Sequence, residues 1–206
     1  MVRGLIGKKI GMTRVFDSRG RAIPVTVLEA GPCMVTQVKT VEKDGYESVQ
    51  VGFGEAKEKH LNKPLIGHFS KSSVSPKRIL AEFNKVPKFD YKAGQEFNVG
   101  IFKEGDYVTV SGKSKGHGFS GTVKKYSFSQ QRKTHGQGDT HRHVGSIGAA
   151  SYPSRVFPGK KMPSRYGNEK VSVKSLEVIK VDRDNNQLLI KGSVPGSTNG
   201  IVIITR

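Results

Sequence analysis

From Gly4 to Gly52 apolar and polar positions alternate with the period of two that sends successive side chains to opposite faces of a strand. β-branched residues dominate the apolar positions, and Gly, Pro and Asp punctuate them. The pattern predicts strands over Gly4–Lys9, Met12–Phe16, Ile23–Glu29, Met34–Val41 and Ser48–Gly52. Asp17-Ser18-Arg19-Gly20 reads as a hairpin turn. Asp44-Gly45 reads as a two-residue hairpin turn, with Gly45 supplying the positive φ that such turns demand. Over residues 56–76 the alternation stops, and Lys57, Glu58, Lys59, Asn62 and Lys63 lead into Leu65, Ile66 and Phe69, which predicts one or two short helices. Strand character returns at Arg78–Phe83, Glu96–Val99 and Tyr107–Ser111. After a long gap come Val171–Asp182, a turn at Asp184-Asn185-Asn186, Gln187–Lys191 and Ile201–Thr205. Short, closely spaced strands of this kind predict a mainly β protein built as one β-barrel, begun before the gap and finished after it. The expected organisation is a barrel from residues 1–111 and 167–206, a small helical insertion near 56–76, and an extension over 112–166.

The gap carries the informative chemistry. Between Asp106 and Glu169 the chain has one acid, Asp139, against eleven Lys and Arg. Residues 111–170 hold twelve basic and two acidic residues, so they carry +10 of the net charge of +18. This stretch is rich in Gly, Ser, Thr and His and too poor in apolar residues to build a core. Against other protein it would suffer self-repulsion, whereas each cation laid beside a phosphate releases condensed counterions. A loop of this length is uncommon unless it is functional or disordered. The stretch is therefore expected to become ordered on RNA, its ordering entropy offset by phosphate contacts. A field this broad favours nucleic acid over small acidic metabolites, which need only a few charges.

Cys33 is the single cysteine, which rules out an intramolecular disulfide and a thiolate metal cluster and fits the cytoplasm. No apolar run approaches the ~20 residues that span a bilayer. The first residues lack the apolar stretch and cleavage site of a signal peptide, so a soluble, non-exported protein is expected, with no membrane partner.

Gly116-His117-Gly118-Phe119-Ser120-Gly121 spells GxGxxG after a predicted strand, but the β-branched and aromatic Thr122–Phe128 makes a poor helix start and no βαβ unit surrounds it. Gly112-Lys113-Ser114 ends like a phosphate-binding loop, yet Tyr107 stands where that loop needs Gly. His141 and His143 could face one metal, but Asp139 is the only acid nearby and the field repels cations, so no metal or other cofactor is expected. Ser146, His143 and Asp139 form no triad on sequence proximity alone, and no catalytic residue or small-molecule substrate is assigned. Acids such as Glu29, Asp44, Glu82 and Asp90 read as solvated turn or strand-edge charges. RNA contact is assigned to the cations Lys113, Lys115, Lys124, Lys125, Arg132, Lys133, Arg142, Arg155, Lys160, Lys161 and Arg165. The planar groups His117, Phe119, Tyr126, His135, His141 and His143 are assigned to stacking or to bonding with bases, phosphates and 2′-hydroxyls. Small, uncharged Gly145, Ser146, Ile147, Gly148, Ala149 and Ala150 form the tip if the segment folds back as two antiparallel arms. On the returning arm the cations alternate with Phe157, Met162 and Tyr166 as apolar anchors. Two other classes remain as alternatives: an RNA-modifying or RNA-processing enzyme using His135, His141 and His143, and a non-specific RNA chaperone.

Taken in order, Gly4-Leu5-Ile6-Gly7-Lys8-Lys9-Ile10-Gly11-Met12-Thr13, Ser114–Lys124, Thr134-His135-Gly136, Gly145-Ser146-Ile147-Gly148, Gly159-Lys160-Lys161-Met162 and Gly167-Asn168-Glu169 resemble the bacterial ribosomal large-subunit protein L-three family. The resemblance spans nearly the whole chain. It implies a translation-protein-type β-barrel with a small inserted helical part, and a long extension threading large-subunit ribosomal RNA toward the peptidyl transferase centre. It further implies direct binding early in assembly near the 3′ end of that RNA, with neighbouring large-subunit proteins as partners and the cytoplasmic ribosome as location. Relatives often carry a glutamine, methylated in some, just after the Gly-Ser-Ile-Gly run. Ala149 occupies that position here, which precludes the modification. Thr109 and Tyr126 stand where many relatives have an acid and a Trp, and Tyr126 still offers a stacking face.

Overall fold

The computed structural model describes residues 3–87 and 89–206. In chain order its elements are β1 (Gly4–Phe16), β2 (Ala22–Ala30), β3 (Cys33–Lys39), α1 (Val41–Asp44), β4 (Ser48–Glu55), α2 (Lys63–Lys71), β5 (Lys77–Asn84), β6 (Glu96–Phe97), β7 (Tyr107–Lys113), β8 (Gly118–Ser120), α3 (Thr122–Tyr126), β9 (Ser164–Tyr166), β10 (Lys170–Asp182), β11 (Gln187–Lys191) and β12 (Ile201–Thr205). Short 3-10 turns lie at Glu58–His60, Val99–Ile101 and Thr140–Arg142. The chain separates into two compact units, one comprising residues up to Ser114 together with Lys170–Arg206, the other Lys115–Glu169.

In the first unit six strands close a barrel in the order β1-β12-β7-β10-β11-β2. Closure depends on two 13-residue strands that each change partner along their length. β1 pairs β12 through Gly4–Lys8 and β2 through Gly7–Phe16, with a register shift between Lys9 and Gly11. β10 pairs β7 up to Glu177 and β11 from Val178, with shifts between Val173 and Leu176 and between Val178 and Lys180. Such bulges bend a strand and increase its twist, which lets a short sheet meet itself. The barrel interior is filled by Leu5, Leu28, Val108, Val110, Val178, Leu188, Ile190, Val202 and Ile204, all nearly or wholly inaccessible. Gly7 faces Ala30 on one side and Val202 on the other, and a Cβ there would lie 2.7 Å from the Glu29 carbonyl oxygen. The Gly at this position is therefore a packing requirement.

Four of the strands expected in the barrel belong elsewhere. β5-β4-β3-β6 form a separate four-stranded antiparallel sheet, whose Val35, Val49, Val51, Phe53, Phe83 and Phe97 share one apolar cluster with the barrel residues. Alternation reports which face of a strand is buried and is silent on which sheet receives it. Three boundaries also differ. The two expected N-terminal strands are the single bent β1. Val41 leaves the strand it was expected to end, and opens α1. The expected two-residue turn at Asp44-Gly45 is the end of that helical turn, with Gly45 at φ 80° as its C-cap. Asp17–Gly20 is a turn as expected. Its Asp17 carboxylate accepts the Arg21 and Arg19 amides at 2.8 and 2.9 Å and the Arg21 Nε at 2.8 Å. Those bonds, led by the Arg21 amide, hold the Asp17 carboxyl below its ordinary pKa. Helix was expected over 56–76, and α2 and the Glu58–His60 turn supply it.

Glu82 is more than a solvated edge charge. It accepts Lys39 Nζ at 2.6 Å, Tyr46 Oη at 2.7 Å and Ser48 Oγ at 3.3 Å, tying β3, the α1–β4 connection and β5 together. The Lys39 bond lowers the Glu82 pKa, and the same bond raises that of Lys39. Cys33 is fully buried, its Sγ 3.4 Å from the Ile6 carbonyl oxygen, and burial pushes the thiol up to about 11.

None of the buried apolar side chains falls between Lys115 and Glu169; only Ser120 and Thr122 are buried there. The core of the molecule is thus assembled without that segment. Deleting Gly116–Tyr166 is expected to leave a cooperatively unfolding protein with a thermal midpoint within about 4 °C of the full chain's. Leu28→Ala in the barrel is expected to cost about 2–5 kcal/mol. Calorimetry of the two variants checks the contrast, and loss of cooperativity in the deletion would contradict it.

Candidate nucleic-acid interface

The segment expected to lack secondary structure has a small amount, concentrated at its base. β8 pairs antiparallel with β9, Gly118 opposite Tyr166 and Ser120 opposite Ser164, so the two ends of the segment run as antiparallel arms at that level. The His117 amide extends the ladder with a 2.9 Å bond to the Tyr166 carbonyl, and the two rings stack with centroids 5.0 Å apart and planes 22° apart. α3 follows Gly121 directly, where the β-branched and aromatic Thr122–Tyr126 argued against a helix. It is little more than one turn, closed by the Lys125 amide on the Gly121 carbonyl at 3.0 Å, and ends at Ser127 in the left-handed region. One turn is short enough for local bonding to override propensity. No βαβ unit accompanies it, so the GxGxxG run remains outside a dinucleotide fold.

Lys125 joins the arms. Its Nζ donates to Ser164 Oγ at 2.6 Å and to the Arg165 carbonyl at 3.0 Å, and lies 5.1 Å from the Tyr126 ring centroid. Lys161 lies 5.7 Å from the same ring. Hydrogen bonding from Lys125 and then Ser164 lowers the Tyr126 phenol below its ordinary pKa, with the two ammonium groups adding to the effect. Tyr126 is therefore a ring under two cations.

The other cations assigned to RNA are presented outward. Lys113 at the end of β7, and Lys115, Lys124, Arg132, Lys133, Arg142, Arg155, Lys160, Lys161 and Arg165, are all exposed. Arg155 rests over Phe157 at 5.6 Å, a cation–π contact at a ring that is itself 58% exposed. Phe119 is 80% exposed and Tyr152 89% exposed, so both rings present open faces to solvent. His117 has one face covered by Tyr166, while His135 and His143 are exposed. His141 is half-buried, and its Nδ1 has no hydrogen-bond partner. The histidines of the segment do not converge: among the described residues no group of three His, Cys, Asp or Glu is placed to hold a metal ion. The tip residues Gly145, Ser146, Ile147, Gly148, Ala149 and Ala150 are all exposed, with Gly145 at φ 78° and Ser146 Oγ donating to the Gly148 carbonyl at 3.0 Å. On the returning side Met162 and Tyr166 are half-buried as anchors, whereas Phe157 is not.

Sequence reasoning missed the neutral partners: Ser164, which receives Lys125, and Gln131, Gln137 and Thr140, which bond to one another. Gln137 Nε2 donates to Gln131 Oε1 and, at 2.9 Å, to Thr140 Oγ1. Small polar side chains carry no periodic signal; Ser164 acquires meaning only once β8 and β9 are paired, and the other three only once the loop over 131–140 is folded.

A closed β-barrel carrying an exposed, acid-poor and coreless basic segment is the arrangement expected of a protein that lies against a polyanion such as RNA. Comparison with known proteins narrows the class. The family described as "Ribosomal protein L3" matches residues 81–188. The chain is 51% identical over 203 residues to "Large ribosomal subunit protein uL3" of Corynebacterium urealyticum, covering 98% of this chain and 93% of that relative. It is 50% identical to the protein of the same name from Petrotoga mobilis, covering 98% and 94%, and 48% identical to that of Corynebacterium jeikeium. The chain belongs to the ribosomal protein L3 family.

Gly167 holds the base of the arms together. It sits at φ 72°, and a Cβ there would run into the Lys115 carbonyl oxygen. Gly167→Ala is expected to open the β8–β9 ladder, so that limited proteolysis cuts between residues 115 and 169 faster while the barrel's unfolding midpoint moves by no more than about 2 °C. Unchanged cleavage would show that the ladder does not depend on this backbone.

Proposed function

We propose that the chain is a structural, non-catalytic constituent of the large ribosomal subunit that binds large-subunit ribosomal RNA directly. Binding occurs early in assembly, near the 3′ end of that RNA. The barrel docks on folded RNA, and the extension neutralises phosphates inside the particle through Lys113, Lys115, Lys124, Lys125, Arg132, Lys133, Arg142, Arg155, Lys160, Lys161 and Arg165. Its tip, Gly145–Ala150, points toward the peptidyl transferase centre, where small side chains suit a narrow passage. Neighbouring large-subunit proteins complete its surroundings, and the cytoplasmic ribosome is its place.

One observation carries this reading. The segment Lys115–Glu169 has ten Lys and Arg against Asp139 and Glu169 and buries no apolar side chain, so its stabilising partner must be a polyanion. The names of the relatives, which are large-subunit proteins, agree with it. Among the described residues no helix is long and apolar enough to cross a membrane.

Tagged protein isolated from its native cells at moderate salt is expected to bring down full-length large-subunit ribosomal RNA in near-equimolar amount, read by sequencing and quantifying the bound RNA. Scattered RNA, or none, would overturn the proposal.

A further inference from the structure

Within the second unit a cleft of about 590 Å³ has Thr122, Gln131, Thr140, Arg142, His143, Val144 and Pro163 in its lining. Its size falls inside the roughly 300–1,000 Å³ typical of sites that take one small ligand. Three features give it the chemistry of a site. The lining has a guanidinium and an imidazole and no carboxylate, so an anionic group meets attraction and no repulsion. A polar atom of the wall is left unsatisfied: the Thr122 hydroxyl, on a residue 1% exposed. An unpaired buried hydroxyl is costly, and a ligand edge or a small local adjustment on binding would relieve it. One wall is also braced in advance. The Gln131 amide donates to the His141 carbonyl at 3.2 Å, its side chain receives Gln137, and Thr140 Oγ1 donates to the Gln137 carbonyl at 3.0 Å.

We propose that this cleft seats a single unstacked ribonucleotide of the bound RNA, an inference that rests on the reading of the extension as an RNA-binding element. A free phosphate would use Arg142 and leave the remaining wall idle. A nucleotide uses all of it: its phosphate lies on Arg142, its base takes the flat face of His143 and the apolar edges of Val144 and Pro163, and the base edge, which mixes donors and acceptors, meets Gln131 and, after a small local adjustment that uncovers its hydroxyl, Thr122, whose side chains do both. The cleft therefore adds a local, neutral contact to the long-range electrostatic attachment of the segment.

Because the two contributions respond differently to salt, one experiment separates them. The full chain, its Thr122→Val variant and its His143→Ala variant are each titrated onto a full-length large-subunit ribosomal RNA transcript over a range of KCl. Base edges in each complex are probed with dimethyl sulfate and a carbodiimide. With roughly eight phosphates neutralised, wild type is expected to show a slope of log K against log salt on the order of −6 to −7. Each variant is expected to bind about five- to tenfold more weakly at every salt concentration with that slope unchanged, since neither removes a fixed charge. Both are expected to change the reactivity of the same single nucleotide. Variants that bind as wild type and alter no nucleotide, with the wild-type slope intact, would overturn the cleft and leave the RNA-binding reading standing. A wild-type slope near −1 would overturn that reading and the cleft with it. Thr122 is buried and His143 exposed, so His143→Ala remains a test if Thr122→Val fails to fold.

Discussion

Electrostatic repulsion within Lys115–Glu169 is the constraint from which the rest of the molecule follows. Ten cations and two acids share a segment whose only buried side chains are Ser120 and Thr122, so hydrophobic burial offers nothing to offset either the repulsion or the entropy of ordering the chain. What holds the segment together locally is directional and small in extent: the β8–β9 ladder, Lys125 bridging to Ser164 and the Arg165 carbonyl, and the stack of His117 on Tyr166. Such contacts fix the base and leave the cations outward. A partner that supplies phosphates relieves the repulsion and completes the structure in one step.

The same constraint explains why the rest of the chain is a barrel. A segment that contributes no core has to be carried by a scaffold that is stable without it, and a closed sheet with a filled interior has no open edge to satisfy. Here the bent strands β1 and β10 close the sheet, and the four-stranded sheet adds Val35, Val49, Val51, Phe53, Phe83 and Phe97 to the shared cluster. The strand before the segment pairs with the strand after it, Lys113 opposite Lys170, so the interruption begins and ends at one rung of the ladder. The barrel's pairing therefore tolerates a long excursion of the chain.

Strand positions were legible because alternation of apolar and polar residues is a local property, and the basic segment was legible because charge is read directly from composition. The division of the strands between two sheets was not, since Val35 and Val49 alternate as Val108 and Val110 do, and only pairing separates them: β3 pairs with nearby β4, whereas Val110 pairs with Val173 and Ile204 far along the chain. The continuity of β1 through its bulge at Lys9 and Gly11 was hidden by the loss of burial beyond it, where Met12, Arg14 and Phe16 are exposed. At the interface the cations were visible in the sequence as charge, but the neutral residues that organise them were not. Ser164 matters because Lys125 reaches it across 39 positions. Thr122 opened a run read as a poor helix start; it begins α3 and lines a cleft.

Whether RNA completes the extension while the barrel is complete without it is decided by amide hydrogen exchange of the full chain, free and bound to large-subunit ribosomal RNA. β1, β2, β7 and β10–β12 are expected to be equally protected in both states, while amides between residues 115 and 169 exchange rapidly in the free protein and become protected in the complex. Strong protection of that segment in the free protein, or none gained on RNA, would contradict completion by RNA.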